Sequence, residues 1–222
     1  LVELRDRLIR VAISVGLVFG VLCFWPGIGP MYDLVAAPMT ANLPPGTKLI
    51  ATNVFSPFMV PLKITMMAGF LVVLPYVLYQ LWAFVAPGLY SHEKKLVLPL
   101  VISSTILFFA GVAFCYFIVI PGLTKFIVAV TPTSVNAAPD IEQYFGTVLS
   151  LFLVFGIAFE VPIAVVVRAR AGIVSIEQLK SFRGYFVVVA FIVAAIVTPP
   201  DVVSQLALAI PMCILYELGI WS

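Results

Sequence analysis

What constrains this chain most is where its charged side chains stop. Val11–Tyr32, Ile64–His92 and Leu96–Thr124 contain no Asp, Glu, Lys or Arg, and Gln143–Val167 contains only Glu160. Two further stretches, Gly184–Pro200 and Val202–Tyr216, are separated by Asp201 alone. A hydrocarbon core ~30 Å thick is crossed by about 20 helical residues rising 1.5 Å each, so the first four stretches suffice for a crossing. The closing pair is short, with 17 residues between Arg183 and Asp201 and 15 between Asp201 and Glu217. Composition agrees: of 222 residues 63% are hydrophobic and only 10% charged, against roughly 25% charged in ordinary soluble domains. So few charges cannot coat a water-exposed surface, and the solvent of this fold is mostly lipid.

The expectation is therefore an all-α integral membrane bundle of six transmembrane helices. It forms a single transmembrane domain over 1–222, with spans near 8–28, 64–86, 96–120, 144–167, 185–198 and 202–220, the last two short. A re-entrant hairpin over Tyr185–Glu217 is the rival for the closing pair. Six spans collect Arg5, Arg7, Arg10, Lys94, Lys95, Arg168, Arg170, Lys180 and Arg183 on one side, nine of the twelve cations, and leave Lys48, Lys63 and Lys125 on the other. Cytoplasmic loops carry the excess of Lys and Arg, so both termini are expected to be cytoplasmic. The far side holds Asp33, Asp140, Glu142 and Asp201 and two longer connections, residues 26–63 and 121–142, rich in Pro, Thr, Asn and Ser as surface loops are. The first apolar run exceeds the ~7–15 residues of a signal-peptide core and ends in Trp-Pro-Gly, which reads as a permanent anchor. The sequence opens on Leu1 and stops at Ser222 just past a hydrophobic run, so further terminal residues are expected.

A net charge of +2, with its cations in short clusters between apolar runs, implies no nucleic-acid partner. Cys23, Cys115 and Cys213 lie in apolar stretches without CxxC spacing and read as small buried hydrophobes, so neither a metal nor another cofactor is expected. The chain lacks GxxxxGK[ST], HExxH and GxSxG, and its one histidine, His92, has no companion ligand or acid at useful spacing. It is expected not to be an enzyme and not to hydrolyse ATP.

Within the apolar runs the ionisable exception is Glu160, in LVFGIAFEVPIAVVV. A charge at mid-bilayer costs about 2.5–3.5 kcal/mol or more, so such a residue faces a protein interior or a wet cavity. Pro162 cannot donate to the carbonyl of Ala158, which kinks the helix beside it. Two readings stand: a protonated carboxyl hydrogen-bonded to a neighbouring helix, or a contact for a partner or substrate in a hydrophilic recess. Thr198, Ser204 and Gln205 add polar groups to the last two helices, and Gln205 shares a face with Glu160 if helices four to six are neighbours. Gly146 and Gly156 in GTVLSLFLVFGIAF read as sites of close helix approach.

On the basic side two acidic positions stand among cations. Glu3–Arg7 and Asp6–Arg10 are (i, i+4) pairs in LVELRDRLIR, and Glu93 precedes Lys94 and Lys95 in LYSHEKKLVLP. They are either ordinary solvated charges flanking membrane helices or carboxylates that clamp guanidinium groups, whose planar fork an ammonium cannot reproduce.

ELRDRL before the first span, LYQLWAFVAPGLYSHEKK at the second junction, FGIAFEVP in the fourth span and TPPDVVSQ with AIPM and YELG at the end resemble the TatC family, the multispanning subunit of the twin-arginine protein translocase. The resemblance covers essentially the whole chain. It implies a glove-shaped six-helix protein of a bacterial inner membrane or a related energy-conserving membrane. Such a protein recognises folded cargo through its twin-arginine signal peptide, recruits the single-span partners TatA and TatB, assembles in several copies and works on the proton-motive force. Carried onto this sequence, the signal-peptide site would comprise Glu3, Arg5, Phe84, Leu89, His92 and Glu93, with Glu93 contacting an arginine. Glu160, Thr198, Gln205 and Tyr116 match polar positions that meet partner helices within the membrane, and Pro38 and Asp201 match positions on the far face. Gly184, in RARAGIVSIEQLKSFRGY, stands where family members often carry Pro or Lys. A small-solute secondary transporter is the alternative from a different class, but such proteins show paired repeats, and residues 1–120 and 121–222 share none.

Overall fold

A computed structural model describes residues 2–41, 49–89, 97–131, 139–170, 172, 174–198 and 202–221. Among them the architecture is helical, and no strand forms beyond an isolated bridge between Ile50 and Asp140. Ten helices follow in order: α1 Val2–Leu22, α2 Ile28–Thr40, α3 Ser56–Leu89, α4 Val97–Phe114, α5 Ile120–Val130, α6 Ile141–Ala158, α7 Val161–Arg170, α8 Ile176–Ser181, α9 Arg183–Val197 and α10 Val202–Trp221.

Several of these are pieces of longer rods. Between α1 and α2, Trp25 leaves helical geometry at φ −149°, ψ 122°. Gly27 then takes φ +99°, a conformation that glycine alone adopts without strain. The Trp-Pro-Gly stop read from the sequence is real, but the chain resumes as a helix within three residues. The connection expected over residues 26–63 thus contains α2 and the first turns of α3, because Ala36 of α2 packs on Val60 and Ile64 of α3 together with Phe145. Likewise α4 continues through a π-helical turn at Cys115–Val119 into α5, so the rod runs to Val130, well into the connection expected from residue 121.

The fourth span divides at Phe159–Glu160, where Glu160 N–H turns back to Ile157 O at 3.0 Å before Ala164 N–H picks up Glu160 O at 3.0 Å. This is the break that Pro162 forces. Asp140 caps α6 by accepting from Glu142 and Gln143 N–H, and Ser175 and Gln178 form a reciprocal capping box on α8.

Among the described residues five helical stretches, Glu3–Pro38, Ser56–Phe84, Leu98–Val130, Ile141–Ala169 and Val202–Trp221, are long and apolar enough to cross a bilayer; Arg183–Ile196 is a shorter apolar helix. Of the closing pair only α9 is short, at 15 residues, whereas α10 has 20. The charge at Glu217 does not end α10, since Arg183 of α9 neutralises it at 2.6 Å.

α6 is the centre of the packing: Leu151 and Phe155 are fully buried with Ala190 and Ala194 of α9 and Leu208 and Ala209 of α10. Gly156 lies against the ring of Phe108, and Gly111 approaches the backbone of Phe155 so closely that an added Cβ would stand 2.4 Å from its carbonyl oxygen. Gly146 has open space around it, so of the two glycines read as packing positions only Gly156 is one. Facing pairs set neighbours antiparallel: Arg7 to Gln80 and Phe19 to Gly69 for α1 and α3, Ser104 to Glu160 and Gly111 to Phe155 for α4 and α6, Arg183 to Glu217 and Phe186 to Tyr216 for α9 and α10. Outward, Leu8, Ile13, Leu17, Val21, Ile106, Ile157, Ile192 and Ile196 stand exposed. An apolar exterior over apolar helices of this length marks a membrane protein.

Candidate functional site

The antiparallel pairing of α1 with α3 brings the N-terminal charges beside the end of α3. There Glu3, Asp6, Arg7, Arg10, Tyr79, Gln80 and Ala83 enclose a cleft of about 570 Å³. Arg7 donates from Nε (3.2 Å) and Nη2 (2.8 Å) to Glu3 Oε1, the (i, i+4) pair expected from sequence. Asp6, expected to pair with Arg10, instead accepts from Arg5 at 3.1 Å. Glu3, which lines the cleft, is 69% exposed, and Arg5, beside it, 68%. Phe84, one turn beyond Gln80, is also exposed, and Leu89 closes α3. His92 and Glu93 lie outside the described residues.

A second constellation sits where α3, α4 and the α6–α7 break meet. Trp82 Nε1 donates to Ser104 Oγ at 3.1 Å, and Ser104 in turn donates to Glu160 Oε2. An indole N–H can only donate, so it occupies a serine lone pair and directs the hydroxyl hydrogen to the carboxyl. One oxygen of Glu160 is thus held by a neighbouring helix, while Oε1 has no hydrogen-bond partner among the described residues. Ser104 is seven residues into α4, about 10 Å from its first turn, so Glu160 stands nearer the basic end than its central place in the sequence run suggested.

The other polar positions are elsewhere. Thr198 is buried and donates back to Ala194 O at 2.7 Å, ending α9. Gln205, half-buried near the start of α10, is fourteen residues before Gly219, which touches Pro162. That spacing amounts to roughly 21 Å along the helix, so Gln205 and Glu160 sit at different depths. Tyr116, in the π-helical turn, donates to Leu34 O of α2 at 2.6 Å and borders an apolar groove of about 470 Å³ whose walls include Leu34, Met67, Phe109 and Phe152. Pro38 lies inside α2, and Asp201 is outside the described residues.

Opposite the cleft, the ends of the helices are knotted together. Asp140 Oδ2 accepts from Thr52 Oγ1 at 2.5 Å and Thr52 N–H at 3.1 Å, while Oδ1 caps α6. Ile50 exchanges backbone bonds with Pro139 and Ile141, and Glu142 accepts from Ser56 Oγ (2.7 Å) and Lys63 Nζ (3.3 Å). The Thr52 hydroxyl, followed by the backbone N–H of Gln143, holds the Asp140 carboxyl down to about 2.

Sequence reasoning passed over Gln80, Trp82, Ser104 and Thr52. Gln80 was legible by the logic applied to Glu160, as the lone amide in LVVLPYVLYQLWAF. For the others only the fold supplies the partners that single them out.

Residues 1–211 match the family model described as Sec-independent protein translocase protein (TatC). The chain is 49% identical to the Sec-independent protein translocase protein TatC of Haemophilus influenzae, over 99% of this chain and 85% of that one. To the protein of the same description from Escherichia coli K12 it is 46% identical, over 100% and 85%. The fold superposes on a crystal structure of the twin arginine translocase receptor TatC with a TM-score of 0.83 at 40% identity, covering 99% of this chain and 95% of that one. On a second such structure, in DDM, the score is 0.86 at 39% identity, covering 99% and 96%.

Proposed function

The chain belongs to the TatC family of Sec-independent protein translocase proteins, and from that premise we propose how this particular chain does its work. It is a protein-translocase subunit, a receptor component and not an enzyme, which sets aside the secondary-transporter alternative. Our reading is that it lies in a bacterial inner membrane, or a related energy-conserving one, as a single domain of six spans with both termini cytoplasmic, α9 being the short crossing. Support for that orientation comes from the nine cations against three.

On this reading the cleft between α1 and α3 receives the signal peptide of folded cargo. Glu3, Arg5, Phe84 and Leu89, with His92 and Glu93 a few residues after α3, form the recognition site. Carboxylates accept the two arginines, and Phe84 meets the apolar residues that follow them. Arginine suits such a site because its fork makes paired bonds to carboxylate oxygens that lysine cannot duplicate. The signal's apolar segment then runs along the groove past Met67 and Phe109. TatA and TatB helices and further copies of this chain gather around Glu160, Thr198, Gln205 and Tyr116, with Pro38 and Asp201 serving the far face. Transport draws on the proton-motive force, and a bilayer thinned around α9 eases passage of folded cargo.

The observation that carries the reading is an exposed carboxylate, Glu3, held by an arginine in an open charged cleft at the basic end. Export of a twin-arginine cargo is expected to fail in cells lacking the chain and to return when it is supplied; unchanged export in its absence contradicts the reading.

A further inference from the structure

Gln80 is a buried amide, 8% exposed, on the face of α3 that meets α1. Its Nε2 donates to Tyr76 Oη one turn back at 2.7 Å, which turns Oε1 toward α1. There Arg7 Nη1 donates to Gln80 Oε1 and to Gln80 O, both at 3.2 Å. The opposite edge of the same guanidinium, Nε and Nη2, donates to Glu3 Oε1. One planar group thus spans two helices: its Nη1 is anchored on a buried partner and its other edge grips an exposed carboxylate. Both donors reaching Glu3 fall on Oε1, so Arg7 leaves Oε2 to the cleft.

We propose that Gln80 and Arg7 are positioning residues of the signal-peptide cleft: Gln80 fixes Arg7, and Arg7 fixes the Glu3 carboxylate with Oε2 turned to an incoming guanidinium. The inference rests on the reading of Glu3 as a signal-peptide contact and adds what orients that contact. A free glutamate on a helix end would meet lysine and arginine in many rotamers, whereas a carboxylate held by one oxygen offers the other in a set direction, with its ordering already complete before the ligand arrives. Lysine in place of Arg7 could not serve, since a single ammonium lacks the two edges that reach Gln80 and Glu3 together.

The test is a double-mutant cycle on the full chain in nanodiscs, read as affinity for a labelled signal peptide bearing Arg-Arg. Arg7→Lys and Gln80→Leu are each expected to weaken binding about tenfold, and Glu3→Gln combined with Arg7→Lys to bind no more weakly than Glu3→Gln alone. Gln80→Glu, which keeps an acceptor facing Arg7, is expected to stay within about twofold of the parent chain. Multiplying losses in the Glu3 and Arg7 cycle would show that Arg7 acts independently of Glu3 and would overturn the proposal. Tighter binding by Arg7→Lys would show that Arg7 masks Glu3 and would overturn it as well. If Glu3→Gln alone binds like the parent, the site reading itself fails, an outcome distinct from a Glu3 loss without coupling. Melting temperatures recorded in parallel separate these effects from loss of fold, and if Gln80→Leu melts early the cycle through Arg7, on the cleft rim, decides.

Discussion

The two ends of the bundle are built on opposite plans. At the basic end charged groups stand open: Glu3 and Arg5 are mostly exposed, and side chains of α1 and α3 meet across a cleft with room for a ligand. At the other end two acids are taken up by structure. Asp140 spends both oxygens on Thr52 and on the cap of α6, and Glu142 takes Ser56 and Lys63, so the starts of α3 and α6 are cross-tied. Similar residue types therefore do different work. An acid whose oxygens are saturated by its own chain holds helices in register, and one with an oxygen to spare is available for recognition.

That contrast can be broken most sharply at Glu3. Glu3→Gln keeps the shape and removes the charge, and charge-assisted hydrogen bonds are worth about 1.5–3 kcal/mol, so affinity for an Arg-Arg signal peptide should drop roughly 10–100-fold with the melting temperature unchanged. A substitution in the core should do the reverse. Gly111→Ala drives a methyl group into the carbonyl of Phe155, and overpacking of this kind costs about 1–3 kcal/mol. Thermal unfolding in detergent should show the loss, while whatever fraction remains folded binds signal peptide normally.

Between the two lies Ser104→Ala. It removes the hydroxyl that links Trp82 to Glu160 and should reduce copurification of single-span partner helices several-fold while leaving signal-peptide affinity intact. Full partner recovery would make the link purely architectural. The smallest effect is expected at the knot. Because its folded carboxyl sits at about 2, below the ordinary 3.8, Asp140 adds stability that is fully present above about pH 4 and disappears as pH falls toward 2. Asp140→Asn should lower the melting temperature by a few degrees at neutral pH and flatten that acid limb, and an unaltered limb would assign it to other carboxylates.

Much of this fold was legible because lipid punishes charge. The gaps between charged residues located the apolar rods, and Pro162 announced the break beside Glu160. What the gaps missed is where a helix runs past a charge or a proline. Glu217 lies inside α10 because Arg183 reaches it, and Pro-rich residues 26–63 hold α2 because Ala36 has a surface to pack on. The site was legible at its acids, since ionisable residues are rare here, and Glu3–Arg7 followed from helical spacing. Of its supports, Gln80 was legible only as the lone amide of its run and Ser104 not at all, since both matter through partners dozens of residues away, and Asp6 chose Arg5 over Arg10 although Asp6–Arg10 has the same spacing as Glu3–Arg7.

The central claim, that the open end recognises paired arginines, is tested most directly by comparing the affinity of the purified chain in nanodiscs for a signal peptide bearing Arg-Arg with that for its Lys-Lys counterpart. We expect the arginine peptide to bind at least about tenfold more tightly, as loss of one forked carboxylate contact implies. Equal affinity for both peptides, or binding of neither, would contradict it.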